Sequence, residues 1–153
     1  MRNKDKNAEE VFEEIVANSN FSIAHASVEN INELNVLVAT HRAMIEAVSK
    51  INCYHDAILI DGNKKPKLPG NVHTIIKGDN KSASIAEASI IAKVTRDRLM
   101  GELGKNFPYY NWEKNVGYGT KTHIEAIKKY GVTIHHRINY KPIINMRQKN
   151  FDF

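Results

Sequence analysis

The stretch AILIDGNKKPKLPGNVHTIIKGD, residues 57–79, decides how the chain is read. It holds two short apolar runs, each leading into a carboxylate. Ala57-Ile58-Leu59-Ile60 runs into Asp61, and Val72-His73-Thr74-Ile75-Ile76 runs through Lys77-Gly78 into Asp79. A run apolar on both faces suggests a central strand of a covered sheet, and the carboxyl edge of such a sheet is where α/β folds place their sites. A carboxylate at the end of an apolar strand is half desolvated, which is costly unless a metal or a base compensates it. Asp61 and Asp79 are therefore the two acids that matter most. Each also has a plain structural reading as a turn residue, Asp61 before Gly62 and Asp79 before Asn80. The connection GNKKPKLPGN is a Pro/Gly-punctuated loop of ten residues, shorter than the dozen or so that a parallel crossover usually takes. By spacing alone a hairpin is favoured, with the two acids at opposite ends.

Outward from this stretch the patterning is mainly helical. Residues 8–18 place Val11, Phe12, Ile15 and Val16 on one face with glutamates opposite, a short amphipathic helix. Residues 21–28 (FSIAHASV) read as a strand, and 30–50 return to helical spacing through Ile31, Leu34, Leu37, Val38, Ala43, Met44 and Val48. Asn30, Asn32 and Asn35 compete as capping residues at the start of that helix. A longer helix begins at Ser82 or Ser84, where Ser84-Ile85-Ala86-Glu87 matches a capping box, and is expected to stop at Gly101 or Gly104. Residues 121–130 form a last helix ended at Gly131. From Tyr140 onward the chain is apolar and basic without clear period.

The chain has 153 residues, with 42% hydrophobic and 25% charged side chains. This is the composition of one soluble globular domain, not of a disordered or fibrous chain. A single cysteine, Cys53, excludes an internal disulfide framework and a multi-cysteine zinc site. The start MRNKDKNAEE carries charge where a signal peptide needs an apolar stretch, and no apolar run approaches the roughly 18 residues of a membrane span. A cytoplasmic protein with no membrane partner is the expectation. The net charge of +5 is unevenly spread: residues 1–53 carry 5 Lys/Arg against 8 Asp/Glu, and residues 54–153 carry 17 against 9. The last hundred residues are thus +8, a surface suited to a polyanion such as nucleic acid, although an ordinary solvated basic face has the same composition.

In the basic half, GYGT (117–120) sets Tyr118 between two glycines. Flanking glycines let a backbone approach a ligand closely, while the phenol suits stacking on a sugar or base and hydrogen bonding to a 2′-OH. A glycine-rich turn with a packing tyrosine is the structural alternative. Lys77, Lys81, Lys121 and Arg96 are candidate phosphate contacts. The side chains of adjacent His135 and His136 diverge, which argues against shared metal ligation. Asp97, within Arg96-Asp97-Arg98 on a helix, fits local ion pairing better than catalysis.

Read together, these segments resemble bacterial ribonuclease HII. The matching strings are LIDGN (59–63), PKLPG (66–70), IIKGDNKS (75–82), IAEASIIAKVTRDRLM (85–100), NVGYGTKTHIEAI (115–127) and HHR (135–137). The resemblance implies an α/β fold, an RNase H-like mixed sheet flanked by helices, with 1–140 as the domain and 141–153 as a C-terminal tail. It implies a hydrolase, an endonuclease cutting the RNA strand of RNA–DNA hybrids or DNA at embedded ribonucleotides, with four carboxylates holding Mg²⁺ or Mn²⁺. Asp61 resembles the third of those carboxylates and Asp79 the fourth, on strands lying side by side with both tips at the site, against the hairpin reading. Tyr118 resembles the tyrosine that stacks at the RNA–DNA junction and senses the 2′-OH. No catalytic role passes to Asp97. Two metal ions about 3.5–4 Å apart need several converging anionic oxygens, and two carboxylates would hold them poorly.

The sequence departs from the family in one respect. The first two carboxylates of the family lie in a DEAGRG-type motif on the first strand, and no such string occurs here. The expectation is an N-terminally truncated chain whose domain misses its first two, central strands, leaves exposed apolar surface beside the gap and is weak or inactive alone. The alternatives are a non-catalytic nucleic-acid-binding remnant, or one half of a split enzyme completed by a separate N-terminal fragment.

Overall fold

The structure is a computed structural model and describes residues 2–149. In chain order it contains α1 (Arg2–Asn18), α2 (Val28–Leu34), α3 (Val36–Lys50), β1 (Ile58–Asp61), β2 (Val72–Ile75), a 3₁₀ turn (Gly78–Asn80) and α4 (Ala83–Asn106). A second 3₁₀ turn (Pro108–Tyr110), α5 (Trp112–Asn115), α6 (Lys121–Tyr130) and α7 (Lys141–Lys149) follow. Two compact units are present. One contains the described residues up to His25 with Thr40–Thr95, and the other Ala26–Ala39 with those from Arg96 onward.

In the first unit β1 and β2 pair in parallel, with Ile58 opposite Val72 and Asp61 opposite Ile75. The hairpin favoured by spacing is thus corrected. The dozen-residue minimum applies to a crossover that carries a helix across the sheet, and this one carries none. Four-residue strands require a return of only about 10 Å, whereas ten extended residues reach roughly 33 Å. Gly62 (φ 100°) and Gly70 (φ 85°) turn the chain at the two ends of the loop. Ile60 is buried, but Leu59 is 37% exposed and Ile76 is 62% exposed. β1 therefore buries one face, not the two that its apolar run suggested.

Phe12 and Ile15 of α1 pack with Ile91 and Val94 of α4, with Val11, Val16 and Ile90 around them. This is the apolar face expected for residues 8–18, with Glu9, Glu10, Glu13 and Glu14 exposed. Two expected elements come out differently. Residues 21–28 form no ladder among the described residues, and a strand exists only through its partner. Ser27 instead caps α2, its side chain accepting from Asn30 N–H at 3.1 Å. The single helix expected over 30–50 is two, divided at Asn35 in the left half of φ space (φ 71°). The Asn35 N–H closes α2 on Ile31 O at 3.0 Å, while its Oδ1 accepts from Leu37 N–H at 3.0 Å and Val38 N–H at 3.2 Å. One asparagine ends a helix and starts the next, the competition that asparagines bring to helix ends.

The helix α4 begins at Ala83, so Ser84 is helical and does not cap it. It also passes through Gly101 and Gly104 to Asn106. A Cβ at Gly104 would lie 2.7 Å from Glu113 Cγ, so the glycine serves close packing there, not termination. The second unit is built on Met100, Tyr110, Trp112, Ala126, Ile127 and Ile143. α6 spans the expected residues, with Thr120 accepting from His123 N–H at 3.3 Å at its start and Gly131 (φ 83°) at its end. The segment after Tyr140, without a clear period in the sequence, forms α7 and buries Ile143. Among the described residues no helix is long and apolar enough to cross a membrane.

Candidate functional site

Parallel pairing puts the carboxyl ends of both strands on one edge of the first unit. Asp61 is the last residue of β1, and its Oδ1 accepts from Gly78 N–H at 2.8 Å. Gly78 opens the 3₁₀ turn that carries Asp79, so this bond ties the turn bearing the second acid to the tip bearing the first. Lys77 makes the reversal out of β2 in the left-handed region (φ 55°, ψ 48°), a conformation that L residues adopt at a cost. A Cβ at Gly78 would lie 2.6 Å from Ile85 Cδ1 and 3.4 Å from Asp61 Oδ1. A larger residue there would have to push the Ile85 side chain aside.

Both acids are exposed, as are Lys77 and Lys81. The half-desolvated carboxylates expected at an apolar strand end are thus replaced by accessible ones, because the strand faces solvent on one side. Asp79 Oδ1 accepts from its neighbour Asn80 Nδ2 at 3.1 Å. Carboxylate oxygens are the donors that Mg²⁺ and Mn²⁺ prefer, so these residues suit such an ion in kind. In number they fall short: among the described residues no group of three or more His, Cys, Asp or Glu side chains could hold a metal ion.

The second unit presents Tyr118, whose side chain stands in solvent with the residue 71% exposed. The backbone beneath it is heavily tied. Buried Asn115 donates from Nδ2 to Tyr110 O at 2.7 Å and accepts Gly117 N–H on Oδ1 at 2.9 Å. Tyr118 N–H donates to Asn115 O at 2.8 Å, and Tyr118 O accepts from Thr120 N–H at 2.8 Å. Val116 is held at φ 49°, where a β-branched residue is strained. Its carbonyl accepts from Arg96 Nη2 at 3.1 Å, so Arg96, a candidate phosphate contact, also braces this loop. The two glycines also have a different use from the one expected. A Cβ at Gly119 would lie 2.8 Å from Tyr140 Oη, and one at Gly117 3.3 Å from Met100 Cε. They leave room for Tyr140 and Met100, the protein's own side chains. Lys121, the first residue of α6, is exposed.

Beneath the loop lies a group that the sequence reading missed. Trp112 stacks on Tyr110 with ring centroids 5.2 Å apart, and His136 meets both rings at 5.3 and 4.9 Å. Trp112 Nε1–H donates to His123 Nε2 at 3.1 Å, and the Nε2 atoms of His123 and His136 are 3.3 Å apart. Burial foremost, and then the neighbouring His123, hold His136 down to about 4. Adjacent His135 and His136 both pack on Trp112, with ring centroids 5.9 and 5.3 Å away, and it is His136 that is buried.

Comparison with known proteins gives these features a family. A family model described as Ribonuclease HII matches residues 4–143. The chain belongs to the ribonuclease HII family. Ribonuclease HII of Wolbachia sp. subsp. Brugia malayi (strain TRS) is 48% identical over 144 residues, covering 94% of this chain and 71% of that protein. Ribonuclease HII of Ehrlichia canis (strain Jake) is 52% identical over 134 residues, covering 88% and 64%. The chain thus spans about two thirds of the length of these ribonuclease HII relatives. The crystal structure of the ribonuclease H2 from Pyrococcus horikoshii OT3 superposes with a TM-score of 0.80 over 97% of this chain and 78% of that one, at 18% identity. That likeness concerns the fold, and it bears out the α/β architecture flanked by helices that the resemblance implied.

Proposed function

We propose that this chain carries part of the active site of a ribonuclease HII. That enzyme would be an endonuclease hydrolysing the RNA strand of RNA–DNA hybrids, or DNA at embedded ribonucleotides, in the cytoplasm. The observation that carries the reading is the bond from Gly78 N–H to Asp61 Oδ1, which joins the Asp79 turn to the end of β1. Asp61 and Asp79 are the metal-holding acids. When bound there, Mg²⁺ or Mn²⁺ would lower the pKa of the attacking water and stabilise the leaving oxygen. The chain's own residues bind and orient: Tyr118 offers a ring for stacking at the junction, and Lys77, Lys81 and Lys121 offer cations to phosphates.

Two acids are a partial set, so these 153 residues alone should cleave weakly or not at all, with further acids supplied from elsewhere, a complementing N-terminal fragment being one source. A second reading, a binding module that keeps Tyr118 and the basic surface without the chemistry, is favoured by the same shortfall of donors. A cleavage assay at stoichiometric protein, with Mn²⁺ and a duplex holding one ribonucleotide, tests both. Weak cutting abolished by Asp61→Asn supports the enzyme reading, and no cutting with retained preference for the ribonucleotide duplex supports the module. Robust cutting untouched by Asp61→Asn would overturn the assignment of the acids.

A further inference from the structure

The Tyr118 carbonyl has a second partner besides Thr120 N–H: the ring Nδ1 of His123, 2.9 Å away. A carbonyl oxygen only accepts, so this nitrogen carries the hydrogen. Trp112 Nε1–H only donates, so His123 Nε2, which receives it, carries a lone pair. One tautomer satisfies both. On His136 the logic runs the other way. Thr133 N–H, which can only donate, reaches His136 Nδ1 at 2.9 Å, so that nitrogen carries the lone pair and Nε2 the hydrogen. The Thr133 hydroxyl lies 2.9 Å from the same Nδ1 and accepts His135 N–H at 3.2 Å, leaving its own hydrogen to donate inward. His136 Nε2–H then faces the lone pair of His123 Nε2 at 3.3 Å. The tautomers are mutually consistent. His123 Nε2 shares its one lone pair between Trp112 and His136, and His136 Nδ1 shares its own between the Thr133 N–H and hydroxyl. Together they form one directed chain from Thr133 through His136 and His123 to the Tyr118 carbonyl.

We infer that His123 and His136 are positioning residues, two neutral imidazoles in opposite tautomers that hold the Tyr118 carbonyl and so aim the exposed ring above it. A second bond on that carbonyl, from a buried and aromatic-packed ring, restrains a peptide that would otherwise depend on the turn alone. A charged His136 would present N–H to N–H at Thr133, and its low pKa agrees with that cost. The consequence for recognition rests on Tyr118 being the junction-sensing residue, but the relay itself does not.

The test separates the two. Long-range ¹H–¹⁵N spectra at pH 7.5 distinguish histidine tautomers directly. His123 should appear as Nδ1–H and His136 as Nε2–H; the reverse pattern, or averaging at either ring, overturns the relay. Two variants then probe its function. Asparagine places its amide where Nδ1 sits, and glutamine where Nε2 sits. His123→Asn should therefore keep the bond to Tyr118 O, and His123→Gln should lose it. The backbone order parameters of Gly117–Gly119 should fall from about 0.85 toward 0.6 in the glutamine variant only. Preference for a duplex with one embedded ribonucleotide over an all-DNA duplex should fall about 5- to 10-fold in that variant only. Equal loop order in both variants and wild type would refute the positioning role. If instead Tyr118→Ala leaves the duplex preference unchanged, the junction reading fails while the relay stands on the spectra.

Discussion

Acidification should loosen the second unit through His136. Its imidazole is 5% exposed, lies among Tyr110, Trp112 and His123, and titrates near 4 against an ordinary value of about 6.5. Between those values the unfolded chain binds a proton that the folded chain refuses. The stabilisation is thus complete above pH 6.5 and is lost progressively as the pH falls toward 4. From these two values the loss between pH 7.5 and pH 4.5 is at most about 2.5 kcal/mol. Water reaching the ring once it charges reduces this, leaving roughly 1–2 kcal/mol. The single tryptophan, Trp112, is a local reporter, because it packs directly against His136. Urea unfolding followed by its fluorescence, in wild type and His136→Gln at both pH values, isolates the effect. His123 and His135 face the same ring, and Tyr110 packs on it; all three are kept in the variant. The variant should be the less stable at pH 7.5, having lost the Thr133 acceptor, and the gap should narrow by 1–2 kcal/mol at pH 4.5. A gap that is the same at both pH values would refute the reasoning.

Gly78→Ala should destabilise the first unit by about 1–3 kcal/mol, since the new Cβ falls 2.6 Å from Ile85 Cδ1; adding Ile85→Val should recover part of this in thermal unfolding. Tyr118→Ala should leave stability unchanged, because the side chain stands in solvent, yet weaken binding to a hybrid duplex by about 1–3 kcal/mol in a fluorescence titration. Affinity for RNA–DNA hybrid should fall steeply between 50 and 200 mM salt if the basic half forms the footprint, and a flat salt response would place the footprint elsewhere.

Local chemistry was legible in the sequence where one residue decides the outcome. Gly131 ends α6 as its type requires, and the apolar face of α1 reads directly from its spacing. Strand direction was not legible, because spacing counts residues and not the distance to be crossed, and two four-residue strands need little. Asn35 shows a different limit. Its side chain can both end and begin a helix, and periodicity passes smoothly through it. At the site, Asp61 and Asp79 were visible as acids after apolar runs, but the role of Gly78 between them depends on Ile85, a contact that no pattern announces. The bond from Arg96 to the Val116 carbonyl was hidden, because nothing in the sequence says that Val116 adopts a positive φ. The histidine relay is assembled from segments 112, 123, 133 and 136, and its signal lies in three-dimensional proximity alone.

Substoichiometric Mn²⁺ broadening of backbone amide signals tests most directly whether Asp61 and Asp79 act as one metal-holding pair, since paramagnetic relaxation registers even weak binding. Broadening should centre on Gly62, Gly78 and Asn80 in the wild type and vanish in both Asp61→Asn and Asp79→Asn. Broadening centred elsewhere, or surviving either substitution, would contradict the account.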